Sequence, residues 1–494
     1  MINESVRTLI DELLEDQQQL TAVERFSKFH DEAPAVTPGT YRDLIPLGAP
    51  KEGEQYAFEV DLDACSGCKA CVVACHSLNG LDESESWRDI GTLIGEKAEA
   101  QVHQTVTTAC HHCADPACLN GCPTRAYEKD KDTGVVRHLD DQCIGCRYCE
   151  LKCPYGVPKY NERLGIVRKC DMCHGRIAQG EAPACVQACP NEAIKIRVVK
   201  TAALHEVSRI GVSLVPGAVS NGITVPSTNY LNLSKNSKAI DSESIEPAHS
   251  HLPLVWMLVF TQAGVGVMIF SWLAGLTQSS FSLSTAIVGG LLFFSGLVGS
   301  VLHLGQPLKA WKAFLGWRTS WLSREIICFG AFGGLSFVFI FLLMLKPVPP
   351  HFIGAIGALL PVLGSLAVWT SVRVYSDTRR PFWSVGKNSL RFGCAMLAFG
   401  LIASPWSGLA AIPITAALLL DLAIAKGAFP ELDTSTRLMN GQLRVGYLVR
   451  VLTAVFAMVA LGFPVVSFVS LLVSELAARY LFFRAVEEPS MPGV

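Results

Sequence analysis

Charge is scarce in this chain, and scarcest in its second half. Only 17% of the 494 residues are Asp, Glu, Lys or Arg, well below the roughly 25% of ordinary soluble proteins. Residues 251–494 carry 16 Lys and Arg against 8 Asp and Glu, while residues 1–250 carry 25 against 35. The overall net charge of −2 gives no reason to expect a nucleic-acid partner, and the uneven halves exclude a single soluble domain. Cysteine is also missing from most of the chain: 16 of 18 lie between Cys65 and Cys189, leaving only Cys328 and Cys394 elsewhere. The first residues lack a basic n-region, a twin-Arg pair and an apolar h-region, so no signal peptide is expected. A dense, even set of cysteines then reads as reduced thiolates for metal rather than as the disulfides of a small secreted domain.

What is present falls into four segments. Residues 1–55 read as an acidic amphipathic helix, with Val6, Leu9, Ile10, Leu13 and Leu14 on one face, followed by an extended arm. Residues 56–199 hold the cysteine block, expected as an α+β domain. Residues 200–250, rich in Ser, Asn and Thr, are expected as a solvated linker, or else as a strap over a partner subunit. Residues 251–494 turn to long apolar runs at 252–276, 281–302, 326–345, 352–372, 392–425 and 445–486. Each of the first four suffices to cross a hydrocarbon core of about 30 Å, and the last two break at Pro405 and Pro464 into two helices each. The expectation is an all-α transmembrane bundle of about eight helices. An even count puts both termini on one side. That side's loops carry Lys309, Lys312, Arg318, Arg324, Arg373, Arg379, Arg380, Lys387, Lys426, Arg437 and Arg444, against Lys346 opposite. The positive-inside rule then places the cysteine block and both termini on the cytoplasmic side of the inner membrane.

The cysteines form four groups of four: Cys65-x2-Cys68-x2-Cys71-x3-Cys75, Cys110-x2-Cys113-x4-Cys118-x3-Cys122, Cys143-x2-Cys146-x2-Cys149-x3-Cys153 and Cys170-x2-Cys173-x11-Cys185-x3-Cys189. Three thiolates at such spacing cap one face of an iron–sulfur cubane, and the fourth crosses to a different cluster. Structural zinc needs two C-x2-C pairs and would leave the third Cys of each triplet idle. Nesting the groups by pseudo-twofold symmetry gives four [4Fe-4S] ligand sets. They are Cys65, Cys68, Cys71 with Cys189; Cys75 with Cys170, Cys173, Cys185; Cys122 with Cys143, Cys146, Cys149; and Cys110, Cys113, Cys118 with Cys153. Four clusters in one domain make an electron conductor.

Cys110-His111-His112-Cys113-Ala114-Asp115-Pro116-Ala117-Cys118, Cys143-Ile144-Gly145-Cys146-Arg147-Tyr148-Cys149 and Cys153-Pro154-Tyr155-Gly156 resemble the four-cluster, ferredoxin-like electron-transfer subunit of dimethyl sulfoxide reductase-type molybdoenzymes. His303-Leu304-Gly305-Gln306-Pro307, Ala310-Trp311 and Ser320-Trp321-Leu322-Ser323-Arg324-Glu325 resemble that family's eight-helix membrane anchor. The sequence thus reads as a natural fusion of two subunits. The resemblance implies a quinol-oxidising anchor with His303 and Glu325 binding quinol and accepting its protons, and a separate molybdopterin-containing catalytic subunit. It further implies that electrons enter at the Cys110 set and leave through the Cys65 set. No substrate-reducing centre is expected within the chain.

The wiring also permits reverse flow, from a cytoplasmic dehydrogenase such as a sulfite dehydrogenase into the quinone pool. An ion-pumping module is a further alternative, and would require ionisable residues across the bundle. Glu475 and Arg479, four apart, are expected to pair, and Asp421 to sit near Lys426. Haem is not expected, because His251, His303 and His351 lie at span ends. Cys328 and Cys394 read as small buried apolar residues.

Overall fold

The computed structural model describes residue 12, residues 44–487 other than 47, 98–99, 241–244, 279 and 346–347, and residues 491–492. The helix expected over residues 1–30 therefore lies outside the described residues, Glu12 apart. The cysteine block is an α+β unit framed by two small sheets. In the first, β1 (Glu54–Asp61) lies between β8 (Ile194–Lys200), antiparallel, and β9 (Asn229–Leu231), parallel. In the second, β2 (Asp89–Lys97) lies between β3 (Ala100–Thr108) and β10 (Lys235–Ala239), both antiparallel. Two short hairpins complete it, β4 (Tyr127–Lys129) with β5 (Val136–His138), and β6 (Lys159–Asn161) with β7 (Ile166–Arg168). Alternation along β1 turns Tyr56, Phe58 and Val60 inward, the first two packing with Ile194 and Ile196 of β8.

Residues 201–239 are not a free linker. After helix α1 (Thr201–Ile210), the chain adds β9 and β10 to the two sheets. It seats Val215, Ala218 and Ala239 in a core with Val60, Leu93 and Val106. Weak periodicity concealed this because each added strand is short and is stabilised by the sheet edge it completes.

The second half is a helical bundle. Its members are α2 (Leu252–Gln278), α3 (Leu283–Leu302), α4 (Trp321–Met344), the continuous span Pro350–Ser376 made of α5 (Pro350–Gly357) and α6 (Leu359–Ser376), α7 (Val385–Ile402), α8 (Ala411–Ala425), α9 (Asp433–Asn440), α10 (Arg444–Val459) and α11 (Pro464–Arg484). Among the described residues six spans are long and apolar enough to cross a membrane, or seven if the bent pair of α9 and α10 counts as one. The expectation of eight corresponds to eight long segments, of which α7 and α10 fall short. The first turns of α7 carry Lys387, Asn388 and Arg391, and α10 has 16 residues with Arg444 and Arg450. Helix α2 is buried on all sides along residues 257–268, as a central helix must be. Small residues let its neighbour approach closely: a Cβ on Gly296 of α3 would come within 2.7 Å of the Thr261 backbone nitrogen of α2.

The bundle contains a buried ionic network that the sequence pattern does not reveal. Arg450 bonds Asp421 at 3.2 Å and Glu475 at 2.8 Å, while Arg479 pairs with Glu475 at 3.4 Å and donates to Gln262 at 2.8 Å. Arg391 approaches Asp421 at 3.7 Å. Glu475 and Arg479 thus pair as expected, but Asp421 bonds Arg450 and Arg391. With 1.5 Å of rise per residue, all five lie within about 14 Å of the helix ends nearest the cysteine block. The network therefore does not reach across the bundle. It ties α2, α7, α8, α10 and α11 together. Removing one partner strands the others, so Arg450→Met should cost about 3–5 kcal/mol, seen as a lower midpoint of thermal unfolding in detergent. Arg437→Met breaks an exposed pair with Asp433 and should cost about 0.5 kcal/mol or less.

Candidate electron-transfer and quinol site

The fold gathers the block cysteines into four sets. Cys65, Cys68, Cys71 and Cys189 line one cavity. Cys110, Cys113, Cys118 and Cys153 line a second, and Cys122, Cys143, Cys146 and Cys149 a third. Cys75, Cys170, Cys173 and Cys185 face one another within electrostatic reach. No three of the described His, Cys, Asp or Glu side chains converge as they would on a single ion. The thiols ring spaces, which suits a cubane whose irons stand at separate corners.

Local backbone explains how. The residue before the second Cys of each of the four groups is left-handed: Gly67 (φ 70°), His112 (φ 39°), Gly145 (φ 66°) and Met172 (φ 59°). This conformation turns amide N–H groups toward the sulfurs. Gly145 N–H and Met172 N–H each reach Sγ, of Cys143 and Cys170, at 3.4 Å. The Cys-Pro segments repeat another device: Arg125, Gly156 and Glu192, each three residues after its Cys, are also left-handed. Ala126 N–H and Ala193 N–H donate to Sγ of Cys122 and Cys189 at 3.2 and 3.3 Å. Such nests of amides favour a bound anion.

Two buried cations lie between sets, and of these Arg88 carries no signal in the sequence. Arg88 is 2% exposed, donates to Thr107 Oγ1 at 3.0 Å, and leaves Nε and NH2 without a partner among the described residues. Burial opposes its charge, but Cys185, Cys71, Cys170 and Cys75 around it hold the guanidinium above its ordinary range. Lys169, equally buried, likewise gains charge stability from Cys110, Cys118 and Cys170 despite burial. Burial pushes the Cys75 thiol up to about 12, and those of Cys153 and Cys173 up to about 11. Deprotonating them requires positive charge, which metal supplies. Orphaned guanidinium nitrogens among thiols, and amides aimed at sulfur, fit iron–sulfur clusters.

The contacts between sets define a line. Cys71 of the Cys65 set neighbours Cys185, Cys170 neighbours Cys110, and Tyr127 bridges Cys118 to Cys122 and Cys149. The order is therefore the Cys65, Cys170, Cys110 and Cys122 sets. At one end Cys68 is exposed. At the other, the Cys122 set meets the helical bundle.

That junction corrects the expectation that the Cys110 set stands next to the membrane. Gln306 N–H donates to Ile144 C=O at 3.0 Å, Gly305 N–H faces Gly145 C=O at 3.4 Å, and Gly316 N–H donates to Pro123 C=O at 2.7 Å. Ser320 bonds Gly121 C=O at 2.7 Å, and Lys152 pairs with Asp377 at 2.7 Å. A Cβ on Gly145 would meet the Gly305 backbone at 2.9 Å, so the two glycines permit this close approach. Spacing along the sequence carries no information about which cluster loop docks.

His303 and Glu325 both lie near the docked loop. The His303 ring faces the Cys146 backbone, and its Nε2 has no partner among the described residues. Glu325 is 3% exposed, accepts a hydrogen bond from Ser371, and lies within electrostatic reach of Tyr148 and Tyr375. Tyr148, part of the cluster loop, donates to Val374 C=O at 2.7 Å. Among the described residues no hydrogen bond or ion pair joins His303 to Glu325. His303 also faces His251 at 5.6 Å between ring centroids, while His351 sits at the opposite bundle end, at the start of α5. Cys394 is buried and Cys328 half-buried. Arg324 and Arg373 sandwich the Trp321 ring at 4.4 and 4.8 Å, consistent with an interfacial belt.

Residues 101–199 match the model of a 4Fe-4S dicluster domain, and residues 246–418 that of the DMSO reductase anchor subunit. The protein is 43% identical over 148 residues to the B subunit of the anaerobic dimethyl sulfoxide reductase of Escherichia coli K12, spanning 28% of its own length and 72% of that subunit. It is 40% identical over 144 residues to the thiosulfate reductase electron transfer subunit PhsB of Salmonella typhi, spanning 28% and 74%. It is also 34% identical over 160 residues to the hydrogenase-2 operon protein HybA of Escherichia coli O157:H7, spanning 27% and 49%. With its cysteine domain aligned to the B subunit and its apolar helices to the anchor, the protein belongs to the dimethyl sulfoxide reductase family of electron-transfer subunits and is a multi-pass membrane protein in which the iron–sulfur and anchor subunits are fused.

Proposed function

We propose that the protein carries electrons from membrane quinol to a separate molybdopterin-containing catalytic subunit through four [4Fe-4S] clusters, one on each cysteine set. The observation that carries this reading is the docking of the Cys143–Cys149 loop onto the bundle next to His303, with Glu325 within electrostatic reach of its Tyr148. Bound clusters would supply one-electron carriers along the line of sets. The four residues of each set would hold them, with Arg88 and Lys169 neutralising charge between neighbours. Neighbouring cations stabilise the reduced, more negative state and so raise the potential.

Quinol oxidation releases two electrons and two protons. His303 faces the Cys146 backbone and leaves Nε2 without a partner among the described residues, so that nitrogen would accept one proton. Glu325 supplies a second acceptor, its carboxylate held by Ser371. Both lie at the ends of helices near the docked loop, so proton acceptance and electron departure share one place. Phe482, Phe483, Trp383 and Tyr375 pack into the same hydrophobic core and limit water. The exposed Cys68 end is where the catalytic partner would dock. Basic loops support a cytoplasmic location for the clusters and both termini.

In proteoliposomes kept anaerobic, a reduced quinol analogue should reduce the clusters, read by loss of their visible absorbance. No reduction by quinol, with full reduction by dithionite, would contradict the reading. Glu325→Gln should slow quinol-driven reduction about 10²-fold or more and leave dithionite reduction intact. The order of sets makes a separate prediction. Cys146→Ser should block quinol electrons from every remaining cluster, whereas Cys68→Ser should leave the other three reducible by quinol.

A further inference from the structure

The strap that joins α3 to α4 enters the quinol reading only through its ends, yet its middle has a pattern of its own. From His303 to Arg324 it carries Lys309, Lys312, Arg318 and Arg324 and no Asp or Glu. Pro307–Phe314 form a 3₁₀ helix, in which side chains three apart eclipse one another. Three unlike rows result. Leu308, Trp311 and Phe314 make an apolar row, 94%, 65% and 50% exposed, and exposed Trp317 continues its spacing. Lys309 and Lys312 make a cationic row, whose spacing leads on through Leu315 to Arg318. Ala310, Ala313 and Gly316 make a row of small residues, of which Ala313 and Gly316 are buried.

The small row seats the strap on the Cys122 set. Gly316 N–H donates to Pro123 C=O at 2.7 Å, and a Cβ on Gly316 would come within 2.7 Å of the Cys122 carbonyl oxygen. Lys312 Nζ donates to Asp141 C=O at 3.2 Å, and Gln306 N–H to Ile144 C=O at 3.0 Å. The strap therefore touches that set at three separate segments. Lys312 lies over the Trp311 ring at 6.0 Å and Arg318 over Trp317 at 5.3 Å, joining the cationic row to the apolar one. Lys309, Lys312 and Arg318 have no acidic partner among the described residues. Exposed Val298, Val301 and Leu302 in the last turns of α3 lead into the apolar row, which thus continues the lipid-facing side of that helix.

We infer that this strap binds anionic phospholipid, with the Leu308 row entering the acyl boundary and the Lys309 row pairing with lipid phosphates. Neighbouring apolar and cationic faces fit a helix that lies in the plane of a charged membrane surface. A free phosphate would have no use for the apolar row, and the buried core of a protein interface is depleted of lysine. Lipid held on two rows presses the third onto Cys122, Pro123 and Asp141, and so keeps the membrane-proximal set seated. The binding stands without the quinol reading; its effect on electron entry rests on that reading.

The test uses the intact chain with its clusters, equilibrated in detergent with equal amounts of phosphatidylglycerol and phosphatidylcholine, and measures the phospholipid retained. We expect the wild-type protein to prefer phosphatidylglycerol. The triple variant Lys309→Gln, Lys312→Gln, Arg318→Gln should lower that preference about five-fold for each cation removed. Lys426→Gln with Arg437→Gln, cations of the same side outside the strap, should leave it unchanged. Leu308→Ser, which alters an almost fully exposed side chain, should weaken retention without shifting the midpoint of thermal unfolding. In vesicles, reduction of the clusters by a quinol analogue should be faster with phosphatidylglycerol than with phosphatidylcholine alone for wild type, and equal in both for the triple variant. Dithionite should reduce every variant alike. No lipid preference in wild type, an undiminished preference in the triple variant, or an equal loss in the Lys426 and Arg437 control would overturn the inference. So would unchanged retention with a shift from dimer to monomer in Leu308→Ser, which would assign the apolar row to a second copy of the chain. If quinol reduces no cluster in wild type while the lipid preference holds, it is the quinol reading that fails.

Discussion

The structure turns on the gathering of sixteen thiols into sets that are largely closed to water, Cys68 excepted. Burial raises the Cys75, Cys153 and Cys173 thiols, yet Arg88 and Lys169 are buried among the sets as cations. Such an interior is electrostatically coherent only with negative charge on the sulfurs and positive charge inside each set. Iron–sulfur clusters supply both. Everything else in the cysteine domain serves that interior. The left-handed residues before each second Cys point amides at sulfur, and β9 and β10 close the sheets over the Cys110 set, where Thr224 joins the cavity lining.

The second constraint is the docking of one cluster loop onto the bundle. Gly145 and Gly305 remove side chains where two backbones meet, Gln306 satisfies the Ile144 carbonyl of the loop, and Gly316 and Ser320 satisfy those of Pro123 and Gly121 in the neighbouring Cys122 segment. The anchor motif His303-Leu304-Gly305-Gln306-Pro307 thereby acquires a physical meaning. Its histidine reaches Cys146, its glycine permits contact, and its glutamine makes the bond to Ile144. The Lys152–Asp377 pair and Tyr148 extend the same seam toward α6. The ionic network around Arg450 holds α7, α8, α10 and α11 together beside that seam.

Much of this was legible in the sequence, for identifiable reasons. Thiolate spacing is local and chemical, so the four groups could be read directly. Apolar runs are equally local, and only α7 and α10, polar at their first turns, departed from the span pattern. What stayed hidden depended on tertiary contact. The Cys110 set was expected at the membrane, and the structure puts the Cys122 set there, because docking is decided by loops far apart in sequence. Residues 201–239 lacked periodicity because their strands borrow stability from sheet edges. Arg88 gave no signal, being a lone cation in a charged segment. The pairing of Asp421 with Arg450 linked two helices whose separation in sequence says nothing of their contact.

The account stands or falls on what the sixteen block cysteines hold. Chemical analysis of anaerobically purified protein, measuring iron and acid-labile sulfide per polypeptide, is the most direct test. Four cubanes predict about sixteen of each. Zinc in place of iron, or a sulfide content near zero, would contradict the central claim.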